Sequence, residues 1–248
     1  MSTPAASTEQ QTRGGAPHGA PVIQQFVNFR FFHIDAVWRS LPKAEREKHK
    51  KEFTELCRSF EDRMILRSYS TVGIRGECEF FLWRIAENLE TIQELSSRML
   101  QSSLGPYISI PHSFLAMTKR SMYIDRHGHP GSEGDRTRVV PGKAKYLFVY
   151  PFVKNRQWYA LPKAQRQELM DEHIKIGHKY TSVKIHTTYS FGLDDQEFTL
   201  AFESDSPGDF LNLVMELRES RASSYTERDT PIFTGIAKPL SEILDQLG

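Results

Sequence analysis

This chain of 248 residues has few cysteines and almost no net charge. The two cysteines, Cys57 and Cys78, lack the short spacing of a metal-binding motif, which indicates reduced, structural thiols. A formal net charge of +1 produces no general field that would attract nucleic acid or an anionic membrane surface. We therefore expect no nucleic-acid partner.

Long hydrophobic runs are also missing. No apolar stretch approaches the roughly 18 residues that a membrane-spanning helix needs. The N-terminus lacks the basic-then-apolar pattern of an export signal, so we expect a cytoplasmic protein. Residues 1–21 are rich in Gly, Pro, Ser, Thr and Gln, and we expect them to form a disordered tail because they offer little apolar surface to bury.

One phrase occurs twice in the chain. WRSLPKAER (38–46) matches WYALPKAQR (158–166) at six of nine positions. A β-rich run precedes each copy. A Tyr-Ser pair (Tyr69-Ser70 and Tyr189-Ser190), a glycine, a second β-rich run and an amphipathic stretch follow each copy, with the two pairs 120 residues apart. The order strand, helix, strand, strand, helix, strand is that of a ferredoxin-like unit, so the repeat indicates duplication.

The duplication predicts an α+β fold of tandem ferredoxin-like repeats, equivalent to a dimeric α+β barrel within one subunit. We expect a first repeat over 22–125 and a second repeat over 144–248. The segment 126–143 is rich in Gly and has no periodicity, which is typical of a linker or a flap over a site.

The two copies differ in one informative place. The helix after the second copy has His173 where the helix after the first copy has Phe53, on a face with Leu169 and Ile174. A buried imidazole needs partners for its ring nitrogens, and either core hydrogen bonds or a metal would supply them. No HxxxH or CxxC companion lies nearby. A lone histidine suits haem, whose porphyrin supplies four nitrogens of its own.

Three segments carry a family resemblance: YPFVKNRQWYALPKAQRQELMDEHIKIGHKY (150–180), GLDD (192–195) and ASSYTERDTPIFTG (222–235). They resemble the chlorite dismutase superfamily, which includes chlorite dismutases and coproheme decarboxylases. The resemblance implies a haem-binding subunit of a homo-oligomer, commonly a pentamer, with His173 as the proximal iron ligand. The implied porphyrin is haem b or iron coproporphyrin III, and hydrogen peroxide is the expected co-substrate.

The same resemblance assigns roles to residues around His173. Tyr150 matches the tyrosine that decarboxylases use as a redox relay to a propionate. Lys154 and Trp158 match residues of the haem pocket, and His178 stands where decarboxylases often have arginine. Two arginines of the 126–143 segment are further candidates for binding porphyrin carboxylates: Arg136 and Arg138.

The position facing the iron from the opposite side has two candidates. Counting back from GLDD gives Ile185, and counting forward from His173 gives His186. The two must point to opposite sides of a strand, and the shorter count favours Ile185. His186 would be a base for peroxide, whereas Ile185 would leave an apolar site. Chlorite dismutases have arginine there. They also have a glutamate beside the proximal histidine, where this chain has Ala222.

With these residues, the resemblance implies peroxide-dependent decarboxylation of iron coproporphyrin III to haem b. The first alternative is a chlorite dismutase, which converts chlorite to chloride and oxygen. The second alternative is a haem-binding protein without turnover. The absence of arginine at the distal candidates disfavours chlorite chemistry, and Tyr150 favours the decarboxylase.

Overall fold

The computed structural model describes residues 24–121, 123 and 138–248. The elements of the first half are β1 (Phe26–Ile34), α1 (Lys43–Arg58), β2 (Ile65–Ser70), β3 (Phe80–Ala86), α2 (Leu89–Gln101), β4 (Ile108–Ser109) and β5 (Ser113–Met117). Those of the second half are β6 (Tyr146–Lys154), α3 (Arg156–Ala160), α4 (Lys163–Gly177), β7 (Lys184–Tyr189), β8 (Phe198–Ser204), α5 (Pro207–Glu219), β9 (Thr226–Arg228), β10 (Phe233–Ala237) and α6 (Leu240–Asp245). Short 3-10 turns cover Ala36–Ser40, Gly105–Tyr107 and Arg221–Tyr225.

The strands form a closed antiparallel barrel. Its order is β2-β3-β1-β5-β7-β8-β6-β10, and β10 closes the ring because it pairs with both β6 and β2. Each half contributes four strands in the same order, and the halves meet at two equivalent joins, β5 with β7 and β10 with β2. The predicted α+β fold of tandem ferredoxin-like repeats is confirmed.

Strand alternation divides the apolar residues between the barrel interior and the helix-covered outside. The interior is filled largely by aromatic and branched side chains, including Phe29, Phe31, Trp83, Leu147, Val149 and Phe233. Outside the first half, α1, α2 and α6 cover a second cluster that contains Phe53 and Cys57. Outside the second half, α4 and α5 cover a third cluster that contains Tyr150 and Ile176. The candidate site lies on this third outside face.

The structure corrects one detail of the repeat. Gly73 and Gly192 both have positive φ, 73° and 71°, and open the same turn, yet they lie 119 residues apart. The backbone hydrogen bond from Thr71 to Glu79 has its counterpart between Ser190 and Glu197. Thr71 is therefore the counterpart of Ser190, and the match between the two Tyr-Ser pairs is wrong by one residue, because the second copy is one residue shorter between helix and strand.

The end of the expected linker is held against the barrel. The Val139 side chain is buried among the interior residues, and the Gly142 N–H donates to Glu203 Oε1 at 2.8 Å. The expected tail over 1–21 and residues 126–137 lie outside the described residues, so the proposed domain boundaries stay predictions.

In the described ranges, no helix combines the length and apolar character needed to cross a membrane. Both cysteines are buried and free.

Candidate functional site

His173 lies on the sheet-facing side of α4. Leu169 and Ile176, four residues before it and three after it, are both buried. Burial lowers the pKa of His173 to about 4, and the nearby positive charge of Lys154 is the second, smaller cause. The imidazole is therefore neutral at pH 7. Within the described part of the chain, no residue forms a hydrogen bond with this ring. The ring therefore has a free nitrogen lone pair.

A groove opens between the end of α4 and strand β7. A methyl group added at Gly177 would meet only the Ile185 Cδ1 atom, at 3.8 Å. Ile185 is 44% exposed although it lies on the helix-covered side of the sheet. A glycine opposite a partly exposed isoleucine shows that α4 does not fully cover this part of the sheet beside His173.

Three neighbouring strands supply the wall of this groove. Tyr150 on β6 stacks on Phe202 of β8, with ring centroids 5.5 Å apart, and Phe202 pairs directly with Ile185 of β7. Tyr150 is buried, and this burial raises the pKa of its phenol well above the ordinary value. The phenol is therefore protonated at neutral pH and lies on the same sheet face as Ile185.

Lys154 is a buried cation at the end of β6. Its Nζ donates to the Ala222 carbonyl at 2.7 Å and lies 4.6 Å from the centre of the Trp158 ring. Burial lowers the pKa of Lys154 to about 8, an effect that the Glu197 carboxylate partly offsets. The amine is mostly protonated at pH 7 and loses its charge as the pH rises through about 8. Trp158, Leu169 and Ala222 form one small buried cluster under α4.

The alternation of β7 separates the two distal candidates. His186 is buried inside the barrel, where its Nε2 atom is 2.6 Å from Glu203 Oε1 and its ring meets Trp83 edge to face at 5.2 Å. Ile185 points to the opposite side, towards Gly177. His186 therefore does not face the groove, and a role as distal base is inconsistent with its position.

The structure describes two of the three remaining sequence candidates. His178 directly follows α4, where its backbone N–H donates to the Ile174 carbonyl at 3.0 Å. Arg138 lies 3.6 Å from Glu87, in the first half of the molecule. Arg136 lies outside the described residues.

Glu197 is a site neighbour that sequence reasoning missed. Its Oε2 atom accepts the backbone N–H of Lys154 at 2.8 Å and the Tyr159 hydroxyl at 2.5 Å. The sequence offered one signal for it: an acidic residue two positions after Asp195, directly before a β-rich run. Through these two hydrogen bonds, Glu197 connects the start of β8 to β6 and α3 beside Lys154.

Comparisons with known proteins identify the family to which this chain belongs. The family model described as chlorite dismutase matches residues 46–238. The coproheme decarboxylase of Mycolicibacterium smegmatis is 32% identical over 67% of this chain and 70% of its own length. This chain belongs to the chlorite dismutase family.

Solved structures extend the match over most of the chain. A structure of chlorite dismutase from Candidatus Nitrospira defluvii superposes with a TM-score of 0.80 at 27% identity, covering 90% of this chain and 94% of that one. A structure described as a haem-binding protein from Thermus thermophilus gives a TM-score of 0.78 at 26% identity, with the same coverage. Members of the family are haem enzymes.

The residues of this chain fit a porphyrin iron. Among the described residues, no group of three or more His, Cys, Asp and Glu side chains is arranged to hold a metal ion. A single neutral histidine is sufficient for haem, because the porphyrin itself supplies four nitrogen ligands to the iron. His173 beside the groove at Gly177 meets that requirement.

Proposed function

We propose that this protein is a coproheme decarboxylase, which converts iron coproporphyrin III to haem b with hydrogen peroxide as the oxidant. The observation that carries this proposal is the buried phenol of Tyr150 on the same sheet face as the aliphatic Ile185. A redox-active side chain therefore lies in the cluster that α4 and α5 cover, whereas the side chain that faces α4 from β7 carries no charge. Similarity to the relative from Mycolicibacterium smegmatis supports the same choice.

His173 is the proposed iron ligand. Its imidazole is neutral at pH 7, so binding iron requires no loss of a proton. In the described part of the chain no carboxylate contacts the ring, and Ala222 provides only a methyl group and its backbone. A histidine without a carboxylate partner donates less charge to iron, which suits a porphyrin that is bound, modified and released.

Lys154 is the proposed binding group for a porphyrin carboxylate. It is buried, and a backbone carbonyl and the faces of two aromatic rings are the partners of its Nζ atom. A charge-assisted bond to a carboxylate is stronger than the present bond to a neutral carbonyl. Carboxylate binding would also raise the pKa of the amine from about 8, because it favours the charged form.

Tyr150 is the proposed redox relay between iron and propionate. In the net reaction a propionate loses carbon dioxide, two electrons and a proton, and the C–C bond to the carboxylate is replaced by a vinyl double bond. Hydrogen peroxide accepts the two electrons and, with two protons, becomes water. The porphyrin iron supplies the oxidising chemistry when bound. The buried Tyr150 phenol has its proton at neutral pH and can give up an electron and that proton together.

The experiment incubates purified protein with iron coproporphyrin III and a stepwise addition of hydrogen peroxide. Mass spectrometry of the extracted porphyrin then measures the products. We expect a monovinyl product followed by haem b. Recovery of unchanged coproheme, or of ring-degraded porphyrin alone, would contradict the proposal.

Chlorite dismutation is the second candidate, supported by the TM-score of 0.80 with a chlorite dismutase structure. It requires stabilisation of an oxyanion at the iron. One missing donor of that kind typically lowers a rate by about 10²–10³. Because Ile185 provides no donor, we expect little oxygen from chlorite, and an oxygen electrode measures this directly. Rapid oxygen evolution would promote this candidate. The pentameric assembly and the cytoplasmic location stay predictions.

A further inference from the structure

The first half of the molecule has its own cleft, at the place equivalent to the groove beside His173. The cleft lies between α1 and β2 and has a volume of about 450 Å³, within the usual range for small-molecule sites. Segments 142–144 and 237–241, which flank the second half, close its sides. Phe53 occupies the position of His173 and is fully buried in the apolar cluster, so this cleft has no counterpart of the proposed iron ligand.

The rim of the cleft is positively charged. Arg58, Arg67, Lys143 and Lys238 line it, together with the single carboxylate of Glu61. Lys238 is paired with Glu242 at 2.6 Å, whereas the other three cations form no ion pair with any residue that the structure describes. Positive charge is therefore in excess at the rim of a concave site, an arrangement that attracts anions.

The wall of the cleft also has an unused hydrogen-bonding group. Thr54 Oγ1 is buried and finds no partner among the described residues. Buried hydroxyls normally have partners, so an orphaned one is a reason to expect a ligand or water. Thr54 also lines an adjoining depression of about 250 Å³ that reaches Asp245. The orphaned hydroxyl and the unpaired cations lie around the same space.

We propose that this cleft binds a compact organic or inorganic anion with at least two negative charges. Guanidinium groups bind carboxylate and phosphate oxygens in pairs, and Arg58 of α1 and Arg67 of β2 both line the cleft. Thr54, whose buried Oγ1 atom has no partner among the described residues, lies in the α1 wall. Cys57 lines the cleft as well, but burial raises its pKa to about 12, so the thiol takes no part as a nucleophile. This site does not depend on the proposed porphyrin reaction.

Titration calorimetry of the full chain with citrate and, separately, with pyrophosphate tests the proposal. Sodium chloride at matched ionic strength measures the non-specific background. We expect saturable binding of at least one anion with a dissociation constant of about 1 mM or lower. Citrate alone would identify a carboxylate ligand, pyrophosphate alone would identify a phosphate ligand, and either result supports the site. Absence of saturable binding for both would overturn it.

The variant Arg58→Gln/Arg67→Gln locates the binding. We expect at least tenfold weaker binding, while Lys48→Gln/Lys119→Gln, which removes two exposed charges outside the lining of the cleft, leaves the affinity unchanged. Equal losses in both variants would indicate a general charge effect and overturn the site. Thr54→Val keeps the side-chain shape and should weaken binding several-fold. Unchanged urea denaturation midpoints confirm that the variants are folded.

Discussion

The two halves of the barrel share a frame and differ in what fills it. In the first half, Asn28 pairs across the sheet with Arg84, and the buried guanidinium donates to Asn28 Oδ1 and to Ser96 Oγ. In the second half the equivalent pair is Phe148 and Phe202. The first half therefore fixes its sheet to α2 with a polar network, whereas the second half presents an aromatic surface to its helices.

Helices α1 and α4, which cover the two sheet faces, also differ in how closely they pack. Phe53 and Cys57 on α1 are both buried, so this helix packs closely on its sheet. Their counterparts on α4 are His173 and Gly177, which leave a free imidazole and an open groove. The same frame thus gives a buried phenylalanine beside a charged cleft in one half and a candidate porphyrin site in the other. Two substitutions on one helix face account for much of that difference.

Of the changes considered, loss of His173 should most reduce the difference between the two halves. In His173→Ala the second half, like the first, has no imidazole on this helix face. We expect the variant to fold and to lose the axial histidine of bound iron, because alanine has no group that can ligate a metal. Resonance Raman and electron paramagnetic resonance spectra of the ferric complex measure the change. His49→Ala, in the first half, is the control. A histidine-ligated spectrum in His173→Ala would exclude His173 as the ligand.

Loss of the Tyr150 hydroxyl should leave binding intact and stop the reaction. In Tyr150→Phe the ring still stacks on Phe202, so the cost in unfolding free energy should be about 1 kcal/mol or less. Coproheme should bind, but carbon dioxide loss should cease because the relay is missing. Tyr146→Phe, on the same strand and the same sheet face, is the matched control. Full decarboxylation by Tyr150→Phe would remove the main support for a decarboxylase.

The sequence allowed the fold to be predicted and singled out His173 as a candidate because the repeat supplied an internal reference. A histidine opposite Phe53 in an otherwise similar helix was visible without any structure. The shorter count favoured Ile185 over His186, but the phase of strand β7 follows only from the structure, in which Ile185 faces α4. Matching Gly73 with Gly192, rather than the two Tyr-Ser pairs, would have given the correct register.

Other parts of the site depend on tertiary contacts that leave no pattern in the sequence. Lys154 donates to a backbone carbonyl 68 residues further along the chain, and any residue at position 222 would provide that oxygen. His186 finds Glu203 only because β7 and β8 are neighbours with both side chains inside the barrel. Spacing along the chain does not encode either contact.

A histidine in the first half should destabilise the protein without creating a second porphyrin site. Phe53 is completely buried and packs against Phe32, so Phe53→His replaces an apolar ring with an imidazole that has no partner. We expect a loss of about 3 kcal/mol in unfolding free energy, measured by urea denaturation. Absorbance titration should still give one coproheme per chain. Two per chain would show that the first half holds a porphyrin once it has a histidine.

A methyl group at Gly177 should have the smallest effect, and the effects on stability and on binding should have opposite signs. Gly177 is the last residue of α4, and alanine is a better helix former than glycine by up to about 1 kcal/mol in a helix interior. The new methyl would lie 3.8 Å from Ile185 Cδ1, which is an ordinary contact, so the fold accepts it without strain. Gly177→Ala should therefore raise the unfolding free energy by less than about 1 kcal/mol.

The same methyl narrows the groove beside His173, so the affinity for coproheme should fall several-fold. Gly208→Ala is the matched control, because Gly208 lies in the first turn of α5 and its added methyl would meet only Ser206 Oγ, at 3.9 Å. Fluorescence quenching titrations with coproheme measure both variants. If Gly177→Ala binds as tightly as Gly208→Ala, the open space at Gly177 is not part of the porphyrin site, and the difference between α1 and α4 reduces to the single exchange of Phe53 for His173.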